Sequence, residues 1–259
     1  MKNELNIVGI QADLVWENPA KNITFFNDTL NNLKSKVDLV VLPEMFATGF
    51  TMEPSTIAEK MDGFSISWMQ KVAKEKQLAL CGSLVISEDN NFYNRFVFVH
   101  PSGKLETYDK RHTFTLAGED KKYTAGTKKV IINYKGWKIC PLICYDLRFP
   151  VWARNIDNYD ILIYMANWPV GRIKAWKTLL KARAIENMCY TIGVNRIGKD
   201  ANDSIYSGNS IAIDYLGEEL SGLAKNKVGI ISARFYKDKQ DEIRQKLGFL
   251  NDRDFFKIV

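Results

Sequence analysis

Residues 139–150 of the chain read Ile-Cys-Pro-Leu-Ile-Cys-Tyr-Asp-Leu-Arg-Phe-Pro. The first five residues are apolar, which is typical of a strand buried on both faces, and the segment becomes polar and aromatic from Tyr145 onward. Cys144 stands at the boundary between the two parts. A thiol at the end of a buried strand is desolvated on one side and accessible to a substrate on the other, as a nucleophile must be. The stretch therefore predicts a buried strand that ends in a candidate catalytic cysteine.

Outward from this stretch, apolar strand-like segments alternate with amphipathic helical segments. Strands are predicted at 5–10, 38–43, 78–86, 95–100, 104–108, 130–133, 137–144, 160–166, 189–194 and 228–235, with a further hairpin across 210–220. Helices are predicted at 20–33, 65–76, 148–156, 172–187 and 237–247. Continuously apolar strands need cover on both faces, so the pattern indicates an α/β fold in which helices cover the sheets. No linker rich in Pro, Gly or Ser divides the chain, and we expect a single domain.

Composition excludes several classes of protein. Of 259 residues, 46% are apolar and 25% are charged, which is typical of a globular protein. The formal net charge is +6, but the basic residues are scattered along the chain, which argues against a nucleic-acid partner. The apolar runs reach only roughly ten residues, too short to span a bilayer, and the N-terminal residues lack the pattern of a secretory signal. We therefore expect a cytoplasmic protein without a membrane partner.

The four cysteines form no CxxC or Cys/His pair, so we expect neither disulfides nor a zinc site.

Functional loops in layered α/β folds gather at the carboxyl ends of the strands. Polar side chains at predicted strand ends are those of Glu44, Lys110, Cys144, Asn167 and Asn195. Three of these residue types suffice for acyl transfer from an amide. The thiol attacks the carbonyl carbon, a carboxylate moves the protons, and the lysine cation stabilises the oxyanion together with a backbone N–H such as that of Tyr145. For the two asparagines we expect a structural role, in which they orient loops by hydrogen bonds to the backbone.

Each candidate also has a structural interpretation. Glu44 would fit a salt bridge at a strand end, Lys110 a surface cation and Cys144 a core thiol. A papain-like Cys-His site would have to use His112, and no cysteine signature of that class accompanies it. The chain also lacks the Gly-x-Ser-x-Gly elbow, the P-loop and the dinucleotide-binding glycine pattern.

Three segments resemble, in their order and separation, the Glu, Lys and Cys motifs of the nitrilase (carbon-nitrogen hydrolase) superfamily. These segments are 42–44, 108–112 and 144–150, and the stretches 166–169 and 183–187 extend the resemblance. The resemblance implies a four-layer αββα sandwich with no metal or organic cofactor. It also implies a homodimer or a higher homo-oligomer.

By the same resemblance, Glu44 is the general base and acid, Lys110 the oxyanion stabiliser and Cys144 the nucleophile. The superfamily has a second glutamate that assists the first, and Glu119 resembles it, with Asp120 as the neighbouring alternative.

Segments 44–50, 148–152 and 167–169 resemble the bacterial omega-amidase branch of the superfamily, which implies hydrolysis of the terminal amide of 2-oxoglutaramate or 2-oxosuccinamate. Such keto acids carry a carboxylate far from the scissile amide, and a guanidinium group is suited to bind it. Arg148 and Arg172 are the candidates, although Arg148 would also fit a helix start, ion-paired with Asp146 or Glu186. The predicted substrate-binding set is Tyr145, Arg148, Trp168, Arg172 and Phe46.

Two other functions stay open at this point. The protein would also fit another hydrolase of the superfamily, such as a deaminated-glutathione amidase, a carbamoylase or a nitrilase. A non-catalytic interaction protein with the same fold is the third possibility. We expect residues 1–247 to form the hydrolase domain. The apolar tail 248–259 is predicted to pack across a subunit interface or over the body of the chain.

Overall fold

Three parallel strands form the centre of each of two six-stranded β-sheets, and antiparallel strands flank them. The computed structural model describes residues 3–254 and 256–258. The strands are β1 Glu4–Gln11, β2 Leu39–Val41, β3 Ala79–Glu88, β4 Asn91–Val99, β5 Leu105–Asp109, β6 Ile132–Tyr134, β7 Trp137–Ile143, β8 Ile161–Ala166, β9 Tyr190–Asn195, β10 Ile197–Lys199, β11 Ile205–Ser207, β12 Ile211–Ile213, β13 Glu219–Gly222 and β14 Gly229–Tyr236. The helices are α1 Pro19–Asn31, α2 Pro54–Ile57, α3 Phe64–Lys76, α4 Pro150–Ala153, α5 Ile173–Asn187 and α6 Lys237–Leu247.

The strand order is β14-β1-β2-β3-β4-β5 in the first sheet and β13-β12-β9-β8-β7-β6 in the second. Alternation along β1 explains how the first sheet is buried on both faces. Leu5 and Ile7 belong to the core shared with the second sheet, whereas Val8 and Ile10 belong to the core beneath α1 and α3.

Helix α5 covers the outer face of the second sheet. It approaches β9 so closely that a Cβ atom on Gly193 would lie 2.4 Å from Leu180 Cδ1. Trp176 of the same helix is fully buried there. The layers are therefore helix, sheet, sheet and helix, which confirms the predicted αββα sandwich. In the described part of the chain, no helix is both long and apolar enough to cross a membrane.

The predicted helix at 148–156 is wrong in extent. A 3-10 turn spans Cys144–Arg148, and α4 begins only at Pro150. Phe149 between them is extended, with φ −113° and ψ 87°, because a residue that precedes proline avoids the helical region. Arg148 thus ends a turn rather than starting a helix. The sequence analysis also missed α2 and the small hairpin of β10 and β11, which are too short to show a period.

The first residues of the tail lie against their own chain. A 3-10 turn spans Phe249–Asp252, and Arg253 Nη1 then donates to the carbonyl of Asn155 at 3.0 Å and to Asn158 Oδ1 at 2.8 Å. Phe255 and Val259, which the predicted tail includes, lie outside the described residues. Packing of this tail across a subunit interface stays a prediction.

Candidate active site

The carboxyl ends of β2, β5, β7 and β8 meet at one end of the sandwich and bring four of the predicted residues together. Glu44 follows β2 by three residues, and the other three come directly after their strands: Lys110, Cys144 and Asn167. Two of the four strands lie in each sheet. The site is therefore formed where the two sheets face each other.

Lys110 lies between two buried carboxylates. Its Nζ donates to Glu44 Oε1 at 2.9 Å and to both oxygens of Glu119 at 3.0 and 2.9 Å, and the lysine side chain is only 1% exposed. Burial acts to lower the pKa of Lys110, but the adjacent Glu119 and Glu44 carboxylates outweigh it, so the pKa is raised. Lys110 is thus a fixed ammonium group rather than a surface cation.

Glu119 is also fully buried, at the start of a short 3-10 turn. Burial raises the pKa of Glu119, and the Lys110 ammonium opposes that rise. The backbone N–H of Phe114 donates to Glu119 Oε2 at 2.5 Å and fixes the carboxylate toward the lysine. The second glutamate of the sequence analysis therefore lies beside the first, and its neighbour Asp120 is exposed.

Cys144 opens the turn that follows β7, and its backbone is left-handed, with φ +43°. Burial raises the pKa of the Cys144 thiol well above its usual range, and the nearby Glu44 carboxylate raises it further, while Lys110 acts in the opposite direction. The thiol is therefore protonated at neutral pH, with the Glu44 carboxylate beside it.

Asp146 holds the cysteine turn in place. Its Oδ2 accepts from the backbone N–H of Ile143 at 3.0 Å and from the Tyr108 hydroxyl at 2.7 Å. Its Oδ1 accepts from the backbone N–H of His112 at 3.0 Å and lies 2.7 Å from the ring Nδ1 of the same histidine. Because His112 is engaged by Asp146, a papain-like pair of His112 with Cys144 finds no support.

Two asparagines bind the glutamates. Asn167 donates its backbone N–H to Glu44 Oε2 and its side-chain Nδ2 to the Glu44 carbonyl, both at 2.8 Å. Asn94, which the sequence analysis did not single out, donates Nδ2 to Glu44 Oε1 at 2.8 Å and to Glu119 Oε1 at 3.2 Å. It lies inside a strand, away from any motif, so only its contacts reveal it.

Asn195 has the structural role expected of it, because its side chain bonds the backbone N–H and carbonyl of Trp168.

A cavity of about 540 Å³ opens above Cys144. Four of the five predicted substrate-binding residues line it, namely Tyr145, Arg148, Trp168 and Arg172. Phe46 does not. Its ring is fully buried on the other side of the first sheet, 5.6 Å from the ring of Phe26 and 5.9 Å from that of Trp68. The prediction that Phe46 binds substrate is corrected: Gly82 leaves room for this ring in the core beneath α1 and α3.

The two arginines of the cavity stack on aromatic rings. The guanidinium carbon of Arg148 lies 5.1 Å from the ring centre of Trp168, and that of Arg172 lies 5.2 Å from Phe114. Among the described residues, no carboxylate is within ion-pair distance of either guanidinium. The alternative ion pair of Arg148 is therefore not formed, since Asp146 bonds His112 and Glu186 pairs with Arg183.

The arrangement has the groups that amide hydrolysis through a thioester requires. A protonated thiol lies beside a carboxylate that can take its proton, an ammonium group lies within electrostatic range of the sulfur, and a cavity with two cationic side chains lies above it. A metal ion is not needed for any of these steps.

Comparison with known proteins agrees with this geometry. The sequence profile of the carbon-nitrogen hydrolase family matches residues 7–245. The chain is 39% identical over 254 residues to omega-amidase YafV of Escherichia coli K12, with 98% of each chain covered. It is 31% identical over 248 residues to 2-oxoglutaramate amidase of Bacillus subtilis 168, which covers 94% of this chain and 95% of that protein.

A crystal structure gives the same result for the fold. It is that of a CN-hydrolase superfamily protein from Xanthomonas campestris with an arsenic adduct in its active site, 36% identical, with a TM-score of 0.96 and 100% of both chains covered. Both the family profile and the full-length relatives span nearly the entire sequence. The chain therefore belongs to the carbon-nitrogen hydrolase family, the nitrilase superfamily.

Proposed function

We propose that the protein is an omega-amidase, which hydrolyses the terminal amide of 2-oxoglutaramate or 2-oxosuccinamate to the 2-oxo dicarboxylate and ammonia. One observation carries the proposal: the Cys144 thiol, beside the Glu44 carboxylate, opens into a cavity that is also lined by the guanidinium groups of Arg148 and Arg172. Relatives that match the chain over nearly its full length are named omega-amidase and 2-oxoglutaramate amidase, which supports the same reaction.

In the first half of the reaction, the sulfur of Cys144 attacks the amide carbon while the Glu44 carboxylate takes the thiol proton. A protonated thiol requires such a base, and Glu44 is the carboxylate that acts most strongly on this thiol. The carbonyl oxygen becomes an oxyanion, which the Lys110 ammonium and the backbone N–H of Tyr145 stabilise. Glu44 then returns the proton to the nitrogen, the C–N bond breaks, and ammonia leaves a thioester on Cys144.

In the second half, water attacks the thioester carbon and Glu44 takes a proton from it. The second oxyanion collapses, the C–S bond breaks, and the sulfur recovers its proton from Glu44. Glu119 assists by holding Lys110 with two hydrogen bonds of 2.9 and 3.0 Å. The sum is one amide and one water converted to a carboxylate and an ammonium ion.

The substrate carboxylate is assigned to the two arginines. A guanidinium group binds a carboxylate through two parallel N–H donors, and stacking on Trp168 and Phe114 holds Arg148 and Arg172 in place. Trp168 is itself fixed, because its Nε1 donates to the carbonyl of Arg172 at 2.8 Å.

The test is ammonia release from 2-oxoglutaramate by the wild-type protein and by Cys144→Ala. The wild type should release ammonia and form a thioester detectable by intact-mass analysis, and Cys144→Ala should do neither. Release by Cys144→Ala at the wild-type rate would refute the thioester route. A panel of nitriles, N-carbamoyl compounds and other amides, scored by kcat/KM, separates this function from those of other family members.

Arg148→Leu and Arg172→Leu test the carboxylate site. Each should raise KM for 2-oxoglutaramate at least about tenfold, because a charge-assisted bidentate pair is lost, and should leave the kinetics with butyramide, which has no carboxylate, unchanged. Lys177→Met is the matched control, since Lys177 is an exposed cation of α5 outside the cavity. If both arginine variants keep the wild-type KM, the carboxylate binds elsewhere.

We also propose that the protein acts as a homodimer or higher homo-oligomer in the cytoplasm. Exposed apolar side chains at Val151, Phe249 and Phe256, near the tail, support an interface there. A reactive thiol such as that of Cys144 fits a reducing compartment. Analytical ultracentrifugation that detects only monomer would refute the assembly.

A further inference from the structure

Asn94 contacts every charged member of the cluster. It is buried in the middle of β4. Its Nδ2 donates to one oxygen of Glu44 and to one oxygen of Glu119, and its backbone carbonyl accepts from the backbone N–H of Lys110 at 3.0 Å. The residue thus connects both carboxylates to the strand that precedes the lysine.

Within the described part of the chain, the Asn94 side chain makes its hydrogen bonds to these two carboxylates. Its amide oxygen Oδ1 is buried with no partner among the described residues. The Asn94 side chain therefore acts on the cluster through its amide nitrogen. Its contribution is a pair of N–H donors shared by Glu44 and Glu119.

The charges around Asn94 explain what those donors do. Two carboxylates, Glu44 and Glu119, share the single ammonium group of Lys110 in a buried site, and the thiol of Cys144 and the phenol of Tyr123 are the neutral titratable groups beside them. An N–H donor favours the ionised form of a carboxylate, whereas burial and a second carboxylate favour the protonated form. Loss of the donors therefore favours uptake of a proton by the carboxylate pair.

Each carboxylate also has one backbone donor of its own. The N–H of Asn167 serves Glu44, and the N–H of Phe114 serves Glu119. Asn94 is the amide that bonds both. A change at Asn94 thus alters the two carboxylates together and leaves their backbone donors in place.

We propose that Asn94 is a positioning residue that keeps the Glu44–Glu119 pair ionised and aligned, so that Glu44 can take the proton of Cys144. The inference rests on the catalytic roles assigned under the proposed function. A glutamate that already carries a proton does not accept one from the thiol. Asn94 therefore sets the lower pH limit at which the cysteine reacts.

The experiment measures the rate of Cys144 alkylation by N-ethylmaleimide against pH, by intact-mass analysis, in the wild type and in Asn94→Ser, Asn94→Ala and Asn94→Asp. Alkylation needs no amide substrate, so the result does not depend on which amide the enzyme hydrolyses. Asn91→Ala is the matched control, because Asn91 is an exposed asparagine of the same strand whose amide donates to the carbonyl of Asp89.

In the wild type, the rate should fall on the acid side as the carboxylate pair takes up a proton. In Asn94→Ala, the pH at which the rate has fallen by half should be about one unit higher than in the wild type. At a given acidic pH, the alkylation rate of this variant should then be about tenfold lower than that of the wild type. The shift should be smaller in Asn94→Ser, which keeps one donor, and larger in Asn94→Asp, which adds a third carboxylate. Asn91→Ala should match the wild type.

An unchanged midpoint in Asn94→Ala would overturn the inference. A purely structural role of Asn94 would instead lower the alkylation rate by the same factor at every pH value and leave the midpoint in place. If Asn94→Ala does not fold, as judged by circular dichroism, the order of Asn94→Ser and Asn94→Asp decides instead. A shifted midpoint together with no ammonia release from 2-oxoglutaramate by the wild type would refute the proposed substrate and leave the role of Asn94 standing.

Discussion

Lys110→Met removes the ammonium group from between two buried carboxylates and should destabilise the protein strongly. Three charge-assisted hydrogen bonds of 2.9–3.0 Å are lost, and both carboxylates are fully buried. Breaking a buried ion pair by removing one partner costs about 3–5 kcal/mol. For a chain of this size, that loss lowers the melting temperature by about 6–20 °C.

The loss of stability should depend on pH. Burial and the adjacent Glu44 carboxylate raise the pKa of Glu119, and without Lys110 no ammonium group opposes that rise, so Glu119 holds a proton in the folded state that it releases on unfolding. The folded variant then binds more protons than the unfolded chain, so its stability falls as pH rises. The difference from the wild type should therefore be smaller at pH 5 than at pH 8.

Urea unfolding at a fixed protein concentration is the assay, because assembly changes apparent stability. Lys138→Met, at an exposed lysine of β7, is the control and should stay close to the wild type. In the double variant Lys110→Met/Glu119→Gln one of the two unpaired charges is gone, so about half of the lost stability should return. Activity should stay about 10²–10³-fold below the wild type in both, because the oxyanion has lost its cation. A stability loss in Lys110→Met no larger than that of Lys138→Met would refute this account of the cluster.

Two further predictions concern the segments that position the site. Gly126→Ala places a Cβ atom 2.1 Å from the carbonyl oxygen of Asp109, next to Lys110. We expect the free energy of unfolding in urea to fall by about 1–3 kcal/mol. Gly171→Ala is the control and should cost far less, because in the part of the chain that the structure describes no atom outside its own turn lies within 4 Å of its Cβ position. The two oxygens of Asp146 accept hydrogen bonds from the Tyr108 hydroxyl and from the backbone N–H groups of His112 and Ile143, and Asp146→Asn leaves only one acceptor oxygen. The value of kcat should therefore fall at least about tenfold with little change in KM. An unchanged kcat would show that the cysteine turn does not depend on this carboxylate.

Much of the fold and the charged residues of the site could be predicted from the sequence because both depend on local patterns. Strands such as β2 and β8 are continuously apolar, and the polar residue that follows such a strand lies at its carboxyl end by necessity. Glu44 and Cys144 could be found in this way, whereas Lys110 follows β5, whose sequence is mostly polar. The αββα order of layers came from the family resemblance, since the pairing of strands over long distances has no local signal.

One residue of the site was predicted wrongly from the sequence and another was missed, because the positions of both side chains are set by contacts with distant parts of the chain. Phe46 is two residues from Glu44, and proximity in sequence suggested proximity in space. Met45 between them has φ +44°, so the chain turns sharply and the ring enters the core instead of the cavity. Asn94 was missed for the opposite reason, because it lies just before the predicted strand 95–100, outside any motif, and meets Glu44, 50 positions away, only in the folded chain.

The charge balance of the site explains why a thiol with a raised pKa is suited to this chemistry. Two carboxylates and one ammonium group leave one net negative charge in a buried site before the reaction begins. When the thiol proton passes to Glu44 and the sulfur attacks, that charge moves to the oxyanion, and the site gains no new net charge in surroundings of low dielectric. A papain-like pair of thiolate and imidazolium would instead need two opposite charges in the resting state, and His112 is committed to Asp146. The site therefore keeps its thiol neutral until the substrate is bound, and Lys110, already fixed by the two glutamates, needs no reorganisation to stabilise the charge that forms.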